Sequence, residues 1–285
     1  MTVWAFRIAQ RVSLLVALSL LGALLGATLV RFAPGYGMDE SELDPRLSQA
    51  SREAIRREHR VNSSLLSYYG AYLASAARGD FGSSAWLHQP ISGLLRERFP
   101  VTLRSVVLGV ISAWAAASLL ALAALFYRGW LLDLAGTLAS GFLIALPVAV
   151  VAIFAVYLRV PVFVAIGAVI FPKVYSYLRN LLLQANDQPH VLAARARGVS
   201  RTRLLLWHVI PLAAGPVAAL FGVSISMAFG AAIPIEALCD APGLGQLAWL
   251  AALNRDLPLI MTLTLAVTLV TVAANSAAEL LHERA

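Results

Sequence analysis

Long apolar runs separated by short polar breaks organise this chain, at about 12–30, 105–126, 131–157, 161–178, 212–235 and 258–281. A bilayer core about 30 Å thick takes about 20 predominantly apolar residues per helix, so the pattern predicts six transmembrane helices. The fourth run is the shortest, and Pro172 interrupts it; without it the two termini would fall on opposite sides. The first follows Arg7 and Arg11 as a signal peptide would, but it exceeds the 7–15 apolar residues of such a leader and reads as an uncleaved helix. Three polar regions break the pattern, at 31–104, 180–211 and 236–257. Residues 31–104 hold a helix candidate at 44–60 and an amphipathic piece at 65–77, where Tyr68, Tyr69 and Tyr72 follow helical spacing. Their expected role is anchoring at the headgroup level.

Composition supports lipid as the solvent. Of 285 residues 60% are hydrophobic and 13% charged, with a mean hydropathy of +0.77. Soluble domains carry roughly 45–50% apolar and about 25% charged residues. The formal charge is +7, and every basic residue but Lys173 is an arginine. These arginines lie between the apolar runs, which points to loops facing anionic lipid and not to nucleic acid. With the N-terminus inside, Arg7, Arg11, Arg128, Arg179, Arg195, Arg197, Arg201, Arg203 and Arg284 fall on inner pieces, against Arg159 and Arg255 on short outer loops. Both termini are therefore expected in the cytoplasm. The segment 31–104 is long enough to cross regardless of its arginines, and its acids between Asp39 and Glu97 lower its net charge.

Familiar catalytic equipment is missing. No G-x-x-x-x-G-K-[ST] loop occurs, so the usual route to ATP hydrolysis is closed. His59, His88, His190, His208 and His282 are scattered, and Cys239 is the one cysteine, so neither a zinc site nor a disulfide framework is expected. Ionisable groups deep in the spans are sparse, which weighs against an ion-coupled carrier. No cofactor and no metal are predicted. Lys173, inside an apolar run, is a pathway candidate. It lies six residues before Arg179, about 9 Å along a helix, within reach of snorkelling to the headgroups. Asp133 and Glu279 are expected to cap or meet water near the inner ends of their spans.

Two loops carry the remaining information. Between the fourth and fifth runs, at 180–211, Ala193-Ala194-Arg195-Ala196-Arg197 favours a short helix and Gly198 stops it. Ser200 is placed to cap a second helix that runs to Pro211. Between the last two runs, at 236–257, Pro242, Gly243 and Gly245 predict a tight turn that uses permissive glycine dihedrals. Beyond it Leu244, Leu247, Trp249, Leu250 and Leu253 make an apolar helix too short to span. Non-helical chain at that depth must be buried in protein or line a water-filled cavity, so a pathway is expected here.

Together the loops and two further motifs carry a resemblance. The chain resembles the permease subunit of bacterial ABC importers of the dipeptide/oligopeptide/nickel group. Ala193-Ala194-Arg195-Ala196-Arg197-Gly198 is similar to the A-R-A-[KR]-G form of the E-A-A loop, with Pro211 thirteen residues after Gly198. Glu236…Pro242-Gly243-Leu244-Gly245…Arg255-Asp256…Pro258 is similar to an E…P-G-L-G…R-D-x-P signature. Arg78-Gly79-Asp80-Phe81-Gly82-Ser83-Ser84 looks like an R-G-D-[LF]-G-x-S turn, and Arg98-Phe99-Pro100-Val101-Thr102-Leu103 like the R-x-P-x-T-L entry to the second span. The sequence departs from the pattern at Tyr36, His190, Leu192 and Cys239.

The resemblance implies the type I ABC importer permease fold: an all-α integral membrane protein of the bacterial inner membrane. It implies an organisation into 1–30 (tail and first helix), 31–104 (outer segment) and 105–285 (transmembrane core). It further implies that Ala193, Ala194, Arg195, Ala196, Arg197 and Gly198 couple to an ATPase. Glu236, Asp240, Pro242, Gly243, Gly245, Arg255 and Asp256 would form an outer gate or dock a binding protein. The implied partners are a second permease subunit, two ATP-binding subunits, an extracytoplasmic substrate-binding protein and membrane lipid. Peptide is the default substrate, with nickel and oligosaccharide as alternatives. An integral-membrane enzyme or assembly factor built around 31–104 is the competing function, and an ion-coupled carrier the third.

Overall fold

A computed structural model describes residues 65–127 and 130–282, with six further helical positions between Ser13 and Thr28. Most of the first predicted span, the helix candidate at 44–60 and both termini lie outside the described residues, as does the side chain of Glu279. The described residues are helical apart from turns and one isolated bridge between Ser83 and Pro90. In chain order the helices are α1 (Leu65–Ala76), α2 (Ile91–Tyr127), α3 (Trp130–Ala145), α4 (Val148–Tyr157), α5 (Val162–Asn186), α6 (Pro189–Ala196), α7 (Arg201–Leu204), α8 (Ile210–Leu238), α9 (Leu244–Leu253) and α10 (Leu257–His282). Among the described residues four helical segments are long and apolar enough to cross a membrane, or five if α3 and α4 count as one broken span.

Two prolines act differently from their sequence-based reading, and a third breaks a run expected to be one helix. The predicted run 131–157 is two helices bent by 104°. Pro147 cannot donate a hydrogen bond and disfavours helical backbone at Leu146, so it opens α4 with an extended ψ of 143°. Pro172, by contrast, does not interrupt α5, which runs unbroken to Asn186. Nor does Pro211 end the helix after Gly198. There the chain passes from α7 through a π-helical turn at Leu205–Val209 into α8, where Pro211 occupies the first turn. The helix continues through Pro211 although proline has no N–H to bond the preceding turn. Ser200 holds the N-cap position of α7, but its hydroxyl makes no capping bond.

The described residues fall into two packed units, one of 98–249 with 269–282 and the other of 65–97 with 250–268. In the first, α5 packs against α3, α4 and α8, with Ile166, Ile170 and Val174 fully buried. Small residues allow the close approach: a β-carbon at Gly136 would meet the Tyr175 ring at 2.3 Å, and one at Gly167 would meet Ser112 Oγ at 2.6 Å. Leu119, Leu138, Phe142 and Ile144 stay exposed, as expected where lipid is the solvent. In the second unit Tyr69 and Tyr72 pack with Leu257 and Met261, and the Tyr72 hydroxyl bonds Thr262 Oγ1 at 2.8 Å. These two tyrosines are core residues and not headgroup anchors, because each turns its ring onto α10. The side chain of Tyr68 lies outside the described residues.

Candidate functional site

One candidate site is the segment after α5. Helix α6 follows Gln188, which holds an extended backbone, and has Pro189 at its start. Its Val191 and Ala194 face inward, whereas Leu192, Ala193, Ala196 and Arg197 are exposed. Leu192 is 47% exposed. Gly198 ends the helix at φ +80°. There Gly198 N bonds Arg195 O at 3.0 Å and Val199 N bonds Ala194 O at 3.3 Å. This is the Schellman arrangement, in which glycine adopts the left-handed conformation without a β-carbon penalty. Arg195 Nη2 donates to Asn186 Oδ1 at 2.7 Å, tying α6 to the end of α5.

A second candidate lies at the far end of α8, about 39 Å of helix away at 1.5 Å per residue. Glu236 is 0% exposed. Its Oε2 accepts the Thr102 hydroxyl at 3.0 Å and the Gly245 N–H at 2.7 Å, and Thr102 Oγ1 in turn accepts the Leu244 N–H at 2.6 Å. Glu236 Oε1 has no partner among the described residues. The turn that brings α9 back is made at Asp240, with φ +51°, and not at the glycines. Gly243 and Gly245 are required for room: a β-carbon on Gly243 would stand 2.2 Å from Glu236 Oε2, and one on Gly245 2.6 Å from Ala232 O. Their predicted role as dihedral hinges is thus corrected to close packing. Asp240 is exposed and accepts from Gln246 Nε2 at 2.6 Å, and Gln246 also takes Arg98 Nη1 at 3.0 Å. Cys239 closes α8 half-buried, and burial pushes its thiol pKa up.

Arg255 and Asp256 belong to the other unit. Arg255 is exposed at φ +53° and ends α9. Asp256 is 1% exposed and caps α10, its Oδ1 taking the Leu259 N–H at 3.2 Å. Its Oδ2 accepts the Ser84 hydroxyl and, at 3.1 Å, the Trp86 N–H. Asp256, named from sequence as an outer-gate or docking residue, thus has its carboxylate spent inside the protein. Lys173 is half-buried on α5. Asp133 does not simply meet water. It accepts two bonds from one edge of the Arg179 guanidinium, Nε to Oδ1 and Nη2 to Oδ2, the latter at 2.6 Å.

Residues 105–284 match the family described as the binding-protein-dependent transport system inner membrane component. The chain belongs to this family. It is a permease component of a bacterial ABC importer and a multi-pass protein of the inner membrane. Among its relatives is the oligopeptide transport system permease protein AppB of Bacillus subtilis, 27% identical over 91% of this chain and 92% of the relative. The oligopeptide transport system permease protein OppB of Haemophilus influenzae is 28% identical over 89% of each chain. OppB of Escherichia coli K12 is 27% identical over 84% of each.

Sequence reading found the motifs of this permease but not how they join. Thr102 and Ser84 stood inside quoted motifs without a role, and each turns out to hold a carboxylate of the E…P-G-L-G…R-D-x-P signature. The available signal was the pairing of a buried acid with a hydroxyl 134 or 172 positions away, which no local period reveals. Among the described residues no group of His, Cys, Asp and Glu is placed to hold a metal.

Proposed function

We propose that this permease forms one half of an oligopeptide pathway and is driven by ATP-binding subunits that grip α6. The supporting observation is the outward face of α6: Leu192, Ala193, Ala196 and Arg197 stand clear of their own protein at a glycine-terminated corner. Small residues permit close approach, Leu192 offers an apolar anchor, and Arg197 can pair with a partner's carboxylate. The excess of arginines near this end favours a cytoplasmic position, with both termini on the same side. A rigid α6 tied to α5 would convert closure of the ATPase into rotation of the packed helices, a hinge or shear motion.

At the far end of α8 an extracytoplasmic binding protein would dock on exposed Asp240 and Pro242, a surface that buried Glu236, Gly243 and Gly245 hold in shape; in the other unit exposed Arg255, beside buried Asp256, is a separate docking candidate. A second permease subunit completes the pathway. Peptide is the cargo favoured by the names of the relatives. Lys173 snorkels toward the headgroups near Arg179 and takes no part in transport, so Lys173→Met leaves uptake intact.

The test is uptake and ATPase activity in the assembled transporter carrying Gly198→Val or Leu192→Glu. Valine at φ +80° costs about 1–2 kcal/mol and nothing else crowds the position, so the change is confined to the corner. The expected result is ATP hydrolysis without uptake for Gly198→Val and loss of the co-purifying ATPase for Leu192→Glu. Normal uptake with a normal complement of ATPase in both variants would overturn the reading.

A further inference from the structure

A cavity of about 550 Å³ lies where α2, α3, α5, α6 and α7 converge. Arg179, Arg195 and Arg201 line it, and Asp133 is the one acid among the described residues that do. Asp133 is fully engaged by Arg179. Arg195 and Arg201 are otherwise lightly used: beyond the Asn186 bond, Arg201 Nη1 gives one bond, to Phe126 O at 3.1 Å. A guanidinium carries five N–H donors in a planar fork, so among the described residues most of their donors have no protein partner and no further acid faces this pair. The site is built for an anion.

Two further observations identify which anion. Tyr127, Trp130 and Trp207 are all exposed around this end of the unit, and such aromatic residues mark the headgroup level of a bilayer. Deeper along α2, a second cavity of about 620 Å³ opens between α2, α5 and α8. Its walls are almost wholly apolar, with Trp114, Leu122 and Phe221 among them, and Leu182 lines both cavities. A charged chamber at headgroup depth that adjoins an apolar slot matches the two ends of one amphiphile. We infer that this permease binds an anionic phospholipid here, with the phosphodiester between Arg195 and Arg201 and an acyl chain in the slot beside Leu182. Basic pockets between membrane helices hold lipid phosphates in this way. The inference stands apart from the choice of cargo, although Arg195 also belongs to α6.

The test is native mass spectrometry of the full-length purified permease titrated with phosphatidylglycerol, phosphatidylcholine or inorganic phosphate. One phosphatidylglycerol should be retained about tenfold or more tightly than phosphatidylcholine, and inorganic phosphate should bind far more weakly because it leaves the slot empty. Arg195→Gln/Arg201→Gln, changed at two exposed positions, should abolish the preference between the two lipids. Ala218→Phe, which fills the slot, should weaken binding of phosphatidylglycerol. Thermal unfolding run in parallel checks that each variant folds, and in the wild type phosphatidylglycerol should raise the midpoint more than phosphatidylcholine does. Equal retention of the two lipids, inorganic phosphate binding as tightly as the lipid, or an unchanged double variant would overturn the inference. So would loss of the lipid when the partner permease assembles, since the partner would then fill the slot.

Discussion

Thr102 donates its hydroxyl proton to Glu236 across 134 positions of sequence, and both side chains are buried. Through this bond α2 holds the last turn of α8, and through the Leu244 N–H it also fixes the start of α9. One hydroxyl thus serves as donor to a carboxylate and acceptor from a backbone amide, a combination that valine, of nearly the same shape, cannot supply. Thr102→Val leaves the Leu244 N–H unpaired and removes one of the two donors on Glu236 Oε2. Each buried group left unpaired costs about 1–3 kcal/mol. Thr102→Ser keeps both bonds and loses one methyl, about 1 kcal/mol. Thermal unfolding of the full chain in detergent should therefore rank wild type, serine, then valine. Equal losses for serine and valine would show that the methyl and not the hydroxyl matters.

Gly243 gives a sharper steric test. Alanine there places a β-carbon 2.2 Å from Glu236 Oε2 and 2.5 Å from Thr102 Oγ1, closer than any non-bonded pair tolerates. The carboxylate must move and its bonds to Thr102 and Gly245 must lengthen. Overpacking of this kind costs about 1–3 kcal/mol. Gly230, also in this region of α8, has nothing within 4 Å of its hypothetical β-carbon. Gly230→Ala should stabilise the helix by about 0.5–1 kcal/mol. Opposite shifts in unfolding midpoint for the two alanine variants are expected, and a downward shift at Gly230 would contradict the argument.

How much of this was legible in the sequence depends on the range of the interaction. The short helix ending at Gly198 and the apolar helix Leu244–Leu253 were readable because local propensity, a glycine stop and helical spacing decide them. The break at Pro147 was not, because the chain is apolar on both sides of it and the bend is set by backbone chemistry. Pro172 misled in the other direction, since packing of α5 against its neighbours outweighs one lost backbone bond. Tyr69 and Tyr72 follow helical spacing whether they face lipid or protein; only the partner residues Leu257 and Met261, nearly two hundred positions away, settle which. At the candidate site the motif residues were found by their order and spacing. Their pairings, Thr102 with Glu236 and Ser84 with Asp256, required coordinates.

Asp256 carries the last test, because one carboxylate does two separable tasks. Its Oδ1 caps α10 through Leu259 N, and its Oδ2 gathers the Ser84 hydroxyl and the Trp86 amide, closing the turn that runs from Gly82 to Pro90. Asp256→Ala removes both tasks. Loss of the cap costs about 0.5–2 kcal/mol, and the buried Ser84 hydroxyl, which still accepts the Leu87 N–H at 2.9 Å, is left without an acceptor for its proton. Asp256→Asn caps nearly as well as aspartate but has one carbonyl oxygen in place of two, so it can serve the helix or the turn and not both. Limited proteolysis of the full chain should then cut at 82–90 fastest in the alanine variant. The asparagine variant should fall between alanine and wild type, with about tenfold separating the extremes for each 1.4 kcal/mol of local opening. Ser84→Ala should open the same turn without lowering the helicity of α10, which separates the two tasks. Indistinguishable cleavage in Asp256→Ala and wild type would mean that the turn is held by the Ser83–Pro90 bridge and not by the carboxylate.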